Sequence, residues 1–136
     1  MKLLKVEVDS DPNALVKIAR SELLQVLMNL ISNSADAMLD NNQRDTLIRV
    51  SCKVEGQKVF ITVEDQGPWV PNDLKDRIFD AFFTTKPAGK GTGLGLSVSK
   101  RIIEKANATV QLGKSDTLGG AKFTLQFEKA SQEEAA

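Results

Sequence analysis

The sequence contains no histidine and no tyrosine, and it has one cysteine, one tryptophan and four prolines among its 136 residues. Without histidine there is no Ser-His or Cys-His nucleophilic couple, no imidazole-held zinc and no phosphohistidine on this chain. The lone Cys52 can neither close an internal disulfide nor build a cysteine metal cage. Net charge is absent too. Its 18 Lys and Arg balance 18 Asp and Glu, which argues against a surface made mainly to neutralise nucleic-acid phosphates. No apolar run approaches the roughly 20 residues that span a bilayer. Charges interrupt the opening MKLLKVEVDSD before a signal-peptide core can form. The chain is therefore expected to be cytoplasmic, without direct membrane contact and without a nucleic-acid partner.

What is present suits one compact domain. Hydrophobic residues make up 41% of the chain, enough for a core and too many for a disordered segment. The pattern predicts a short strand over 4–8, a turn at Asp11-Pro12-Asn13, and a long helix N-capped by Ser21 and reaching Met38. Strands follow over 47–54 and 58–64, split by Glu55-Gly56-Gln57. A Gly/Pro loop over 65–71 leads to a short helix over 74–83. A mobile Gly-bearing stretch follows over 84–93, then a second long helix over 95–105. Strands over 109–112 and 122–127 close the domain, which is expected to occupy 1–129 with a disordered tail over 130–136. Interleaved helices and strands imply an α/β sheet covered by helices.

Three features carry chemistry. In the first long helix Gln25, Asn29, Ser32, Asn33 and Asp36 fall on one stripe. No Lys or Arg occurs between Arg20 and Arg44, so the stripe is either a short-chained solvated face or a shielded polar surface lining a ligand. Asn offers an oxygen to a hard cation and an NH₂ to phosphate. The second feature is Asp65-Gln66-Gly67-Pro68-Trp69 at a strand end. It reads either as a plain Gly-Pro turn or as a site where a carboxylate accepts an exocyclic amine and Gly67 lets a ring approach the backbone. The third is Gly89-Lys90-Gly91-Thr92-Gly93-Leu94-Gly95-Leu96. It opens into a helix, so its amides and the helix N-terminus suit polyphosphate. Lys86 and Lys90 either add charge there or are simply solvated. Neither the P-loop spacing nor the dinucleotide fingerprint is met. Three of the six phenylalanines, Phe79, Phe82 and Phe83, lie between the loops. They read either as core or as the packed hinge of a lid.

In this order, Asn29-x-x-x-Asn33, Asp65-x-Gly67, Phe79-x-x-Phe82-Phe83 and Gly91-x-Gly93-x-Gly95-Leu96 resemble the N, G1, F and G2 boxes of sensor histidine kinases. That superfamily also contains gyrase, heat-shock chaperone and mismatch-repair ATPases. The stretch from Phe82 to Ser97 is similar to kinases of the nitrogen-regulation and dicarboxylate-sensing type. The resemblance implies a two-layer α/β sandwich, a mixed sheet with helices on one face and a mobile ATP lid. It implies ATP and Mg²⁺ as cofactors, with Asn33 on the metal, Asp65 on the adenine amine and Gly67 shaping the adenine pocket. Asn29, Lys90, Gly91, Thr92, Gly93, Leu94, Gly95 and Leu96 would line the nucleotide, and Thr124 would sit behind the adenine with Asp65.

The implied activity is donation of the γ-phosphate to a histidine in two-component signalling. The acceptor is then expected on a dimerisation and phosphotransfer domain before Met1 or in trans, with a response regulator downstream. The parent protein would be cytoplasmic or a membrane sensor with this part in the cytoplasm.

Two positions separate this chain from the family pattern. Where a second G1 glycine is expected stands Trp69, which would cost about 1–3 kcal/mol if the backbone needs positive φ. Where the hydrolysing relatives carry a glutamate base stands Asn29, which cannot abstract a proton. The alternatives are an anti-sigma-type serine kinase and a docking module whose nucleotide site Trp69 has impaired.

Overall fold

The computed structural model describes residues 3–40, 45–67 and 95–131. The short helix expected over 74–83, the lid over 84–93, Trp69 and the phenylalanine cluster lie outside them. The elements run β1 (Leu3–Ser10), α1 (Arg20–Asp40), β2 (Asp45–Glu55), β3 (Lys58–Asp65), α2 (Gly95–Lys105), β4 (Thr109–Lys114) and β5 (Ala121–Glu128). One five-stranded sheet has the order β1-β2-β3-β5-β4. β1 and β2 are parallel, which requires a crossover, and α1 supplies it. The other pairings are antiparallel. This is the mixed α/β sheet that the sequence predicted.

Alternation decides which face is covered. Along β3, Val59, Ile61, Val63 and Asp65 are buried while the residues between them are half-buried. Along β5, Ala121, Phe123, Leu125 and Phe127 alternate in the same way. The register sets Val59 against Phe127, Ile61 against Leu125 and Val63 against Phe123, so one face is continuously apolar. Val26, Leu30 and Met38 of α1 and Ile103 of α2 are 0% exposed in the same cluster. Each such side chain contributes about 1.5–3 kcal/mol by leaving water, which is why both helices settle on this face. The other face carries Ser51, Lys53, Phe60, Thr62, Glu64 and Thr124 along a shallow polar trough.

Local signals fix most of the ends. Glu55 pairs with Lys58, and Gly56 between them has φ 60°. A glycine with positive φ at the first position of a two-residue loop is the hairpin geometry that matches strand twist. α2 stops where Asn107 adopts φ 59°. The Ala108 amide then reaches back to the Ile103 carbonyl at 3.0 Å, closing the helix with a left-handed cap.

Two expectations fail locally. Ser21 is not the N-cap: α1 already starts at Arg20, and the Leu23 amide bonds the Ala19 carbonyl at 3.0 Å. Ala130, expected in the loose tail, is buried, and its amide bonds the Leu15 carbonyl at 2.8 Å. Among the described residues, no helix is long and apolar enough to cross a membrane.

Candidate nucleotide site

Asp65 is the last residue of β3, one step after Val63 on the covered face, so the strand's own alternation drives its carboxylate inward. It is 2% exposed. Its Oδ1 accepts the Gly67 amide at 2.9 Å and the Ala121 amide at 3.0 Å, and its main-chain carbonyl accepts the Gly120 amide at 3.1 Å. Amide donors are the usual compensation for a buried carboxylate. Both side-chain bonds converge on Oδ1.

The backbones meet so closely here that position 120 has no space for a side chain, and position 67 is tight. A Cβ on Gly120 would stand 2.3 Å from Asp65 Oδ1, 2.5 Å from its carbonyl oxygen and 2.7 Å from the Gly67 nitrogen. A Cβ on Gly67 would stand 3.0 Å from Met38 Cγ.

Glu64, on the opposite face, holds the same turn. Its Oε2 accepts the Ser115 hydroxyl at 2.6 Å and the Thr117 hydroxyl at 3.1 Å. Ser115 Oγ in turn accepts the Leu118 amide at 3.0 Å. Consecutive carboxylates thus grip the β4–β5 connection from both sides of the sheet.

The other end of the site is the start of α2. Asn29 Nδ2 donates to the Gly95 carbonyl at 3.3 Å and to Ser99 Oγ at 3.1 Å. Gly95 opens α2 with its first-turn amides and the positive end of the helix dipole. Leu96 packs against the core. Asn33 is half-buried on α1, one turn after Asn29. A single helix therefore touches both ends, through Met38 at Gly67 and through Asn29 at Gly95. Nine residues separate these contacts, about 14 Å of helix at 1.5 Å per residue.

Of the residues singled out from sequence, the structure groups Asn29 with Gly95 and Asp65 with Gly67. Lys90, Gly91, Thr92, Gly93 and Leu94 lie outside the described residues. Thr124 does not join Asp65. It pairs with Thr62 and lines the face that α1 and α2 leave uncovered, because its neighbours Phe123 and Leu125 point into the core. The residue that meets Asp65 from β5 is Ala121, through its amide. Sequence reasoning also missed Gly120, Ser115 and Ser99. For Gly120 a signal existed in the Gly119-Gly120 pair, which reads as a turn without saying what the turn must approach. Among the described residues no cluster of three or more acidic or cysteine side chains could hold a metal by itself.

Residues 19–131 match the family described as histidine kinase-, DNA gyrase B- and HSP90-like ATPase. The chain is similar to the two-component sensor PprA of Pseudomonas aeruginosa, 38% identical over 84% of this chain and 12% of that protein. It is also similar to the C4-dicarboxylate transport sensor protein DctB of Rhizobium meliloti, 32% identical over 92% of this chain and 19% of that protein. It thus spans less than a fifth of either relative. Among solved structures, the catalytic domain of the histidine kinase ThkA superposes with a TM-score of 0.77 at 31% identity, covering 93% of this chain and 79% of that one. With the boxes, the sheet order and these likenesses in agreement, the chain belongs to the histidine kinase-, gyrase- and HSP90-like ATPase family, as the catalytic ATP-binding domain of a sensor histidine kinase.

Proposed function

We propose that this chain binds Mg·ATP along α1 and presents the γ-phosphate to a histidine on a separate phosphotransfer domain. The observation that carries the reading is the double anchorage of α1. One helix fixes a buried, amide-held carboxylate at Met38 and Gly67, and a glycine-opened helix N-terminus at Asn29 and Gly95. The spacing suits a base at one end and phosphates at the other.

The residues fit the ligands. The Asp65 carboxylate, held through Oδ1 by the Gly67 and Ala121 amides, suits the exocyclic amine of a base as its hydrogen-bond donor. The α2 N-terminus suits phosphate oxygens, and Gly91, Thr92, Gly93 and Leu94, which precede it in the sequence, are the residues expected to add to that role. Mg²⁺ takes oxygen ligands and is commonly held by few protein groups plus substrate phosphates, which suits Asn33 as its protein ligand. The metal and ATP supply charge neutralisation and the transferable group, and the chain supplies orientation.

Asn29, tied by its nitrogen to Gly95 and Ser99, is no general base, which favours transfer over hydrolysis. With no histidine in the chain, the acceptor is another segment or another polypeptide. A response regulator is the expected next partner, as in the ThkA structure in complex with the response regulator protein TrrA. The finer likeness to dicarboxylate sensors rests on DctB.

Titration calorimetry with Mg·ADP tests the reading. Binding is expected, with Asp65→Asn losing adenine selectivity and Asn33→Ala losing the magnesium-dependent part of the affinity. No heat at millimolar nucleotide would sink it, and so would parental behaviour in both variants.

A further inference from the structure

Ser99 lies in the second turn of α2, 1% exposed, at the seam with α1. Its hydroxyl donates to the Gly95 carbonyl at 2.8 Å and accepts from Asn29 Nδ2 at 3.1 Å. Asn29 Nδ2 also reaches the Gly95 carbonyl at 3.3 Å. A main-chain carbonyl only accepts, so the flip state of the Asn29 amide is determined by chemistry, with nitrogen toward α2 and oxygen away. The two acceptors are themselves 2.8 Å apart on one side of the nitrogen, so the nitrogen end of the amide is held within the seam. The end of Asn29 left for a ligand is its oxygen, on the same helix face as Asn33 one turn later.

A helix–helix seam does not need a serine at this point. Alanine would suit α2 better, and an interior serine bonding back to the preceding turn slightly weakens and bends a helix. The hydroxyl's distinctive contribution is that it occupies the Gly95 carbonyl and receives the Asn29 amide at once.

We propose that Ser99 is a positioning residue for nucleotide binding. It locks the Asn29 amide with its oxygen outward and fixes the first turn of α2, so that the polyphosphate end of the site offers an acceptor matched to a divalent cation. The proposal rests on the Mg·ATP reading and adds the Asn29 oxygen, beside Asn33, to the groups on which the metal-dependent affinity rests. Ser99 itself touches neither nucleotide nor metal, because it is enclosed between the helices.

Calorimetric titration of the full chain with ADP, in magnesium and in EDTA, tests this on the parent, Ser99→Ala, Asn29→Ala and the double variant. Ser99→Ala is expected to weaken Mg·ADP binding about 5- to 10-fold, the worth of one well-placed hydrogen bond, while metal-free ADP changes by less than about twofold. In the Asn29→Ala background the Ser99 change should have no further effect, since its route is gone. Ser99→Cys keeps the volume with a poor hydrogen-bonding group and should behave like Ser99→Ala, which guards against a packing defect. The proposal is overturned if Ser99→Ala binds Mg·ADP like the parent, if it weakens both titrations equally, or if its effect persists without Asn29. A parent that binds no ADP in either condition would overturn the nucleotide reading instead, and this proposal with it.

Discussion

Substituting Gly120 by alanine puts a methyl group where three backbone or carboxylate atoms already stand. Its Cβ would lie 2.3 Å from Asp65 Oδ1, 2.5 Å from the Asp65 carbonyl and 2.7 Å from the Gly67 nitrogen, whereas ordinary contact starts near 3.4 Å. Two of these are backbone atoms and the third is a buried carboxylate oxygen held by two amides, so relief requires the β4–β5 turn to draw back from the end of β3. A retreat of that size breaks the Gly120 amide bond to the Asp65 carbonyl and the Ala121 amide bond to Oδ1. The first is worth about 1 kcal/mol, and the second, made to a charged group that is 2% exposed, about 1.5–3 kcal/mol. Gly120→Ala should therefore cost about 2.5–4 kcal/mol, a large part of the roughly 5–15 kcal/mol expected for a domain. Urea unfolding followed by far-UV circular dichroism reads this as a midpoint lowered by about 1–2 M at unchanged slope. A loss below about 1 kcal/mol would show that the turn accommodates the methyl group with the Asp65 bonds intact. The account of the site as a rigid glycine-bounded cradle would then fail.

Two further outcomes follow from buried groups. Ser34 Oγ is the buried side-chain polar atom that has no hydrogen-bond partner among the described residues. Ser34→Ala removes an uncompensated hydroxyl and improves helix propensity, so it should stabilise the domain by about 1 kcal/mol, and a lowered melting temperature would contradict this. Burial pushes the Cys52 thiol above its ordinary pKa; the nearby Asp11 carboxylate adds to the rise and an Asp11 backbone hydrogen bond opposes it. Iodoacetamide should modify folded Cys52 more slowly at pH 8 than the urea-unfolded chain, and equal rates would refute the shift. Because the folded value is raised, this group's contribution is fully present below the unfolded thiol value of about 8.5. It is lost as pH climbs through the folded value.

The sequence made legible whatever is locally encoded. Gly56 announced the β2–β3 hairpin, and the glycine run and Lys105 bracketed α2 at the residues observed. The N-terminus of α1 was misplaced because Ser21 has capping chemistry, yet Ala19 supplies the carbonyl that opens the helix. Thr124 was misplaced although the necessary signal was present: Phe123, Leu125 and Phe127 alternate, so Thr124 must face away from Asp65. The bonds from Glu64 to Ser115 and from Asp65 to Ala121 join residues 51 and 56 positions apart. No periodicity or spacing within one element encodes them, because they exist only once β5 has inserted beside β3. The same holds for Ser99, whose meaning depends on Asn29 seventy positions earlier.

The double mooring of α1 separates scaffold from insert. Gly67 is set against Met38 and Gly95 against Asn29, so the point where the chain leaves the sheet and the point where it rejoins at α2 are both fixed by one helix. The separation of these two points does not depend on what is strung between them. Loop-closure entropy grows only logarithmically, at about 0.6 kcal/mol for each doubling of length. Segments of different length and chemistry can therefore be exchanged between these gateposts while the sheet, the helices and the carboxylate clamp keep their places. The fold behaves as a fixed socket whose two gateposts stand on one helix.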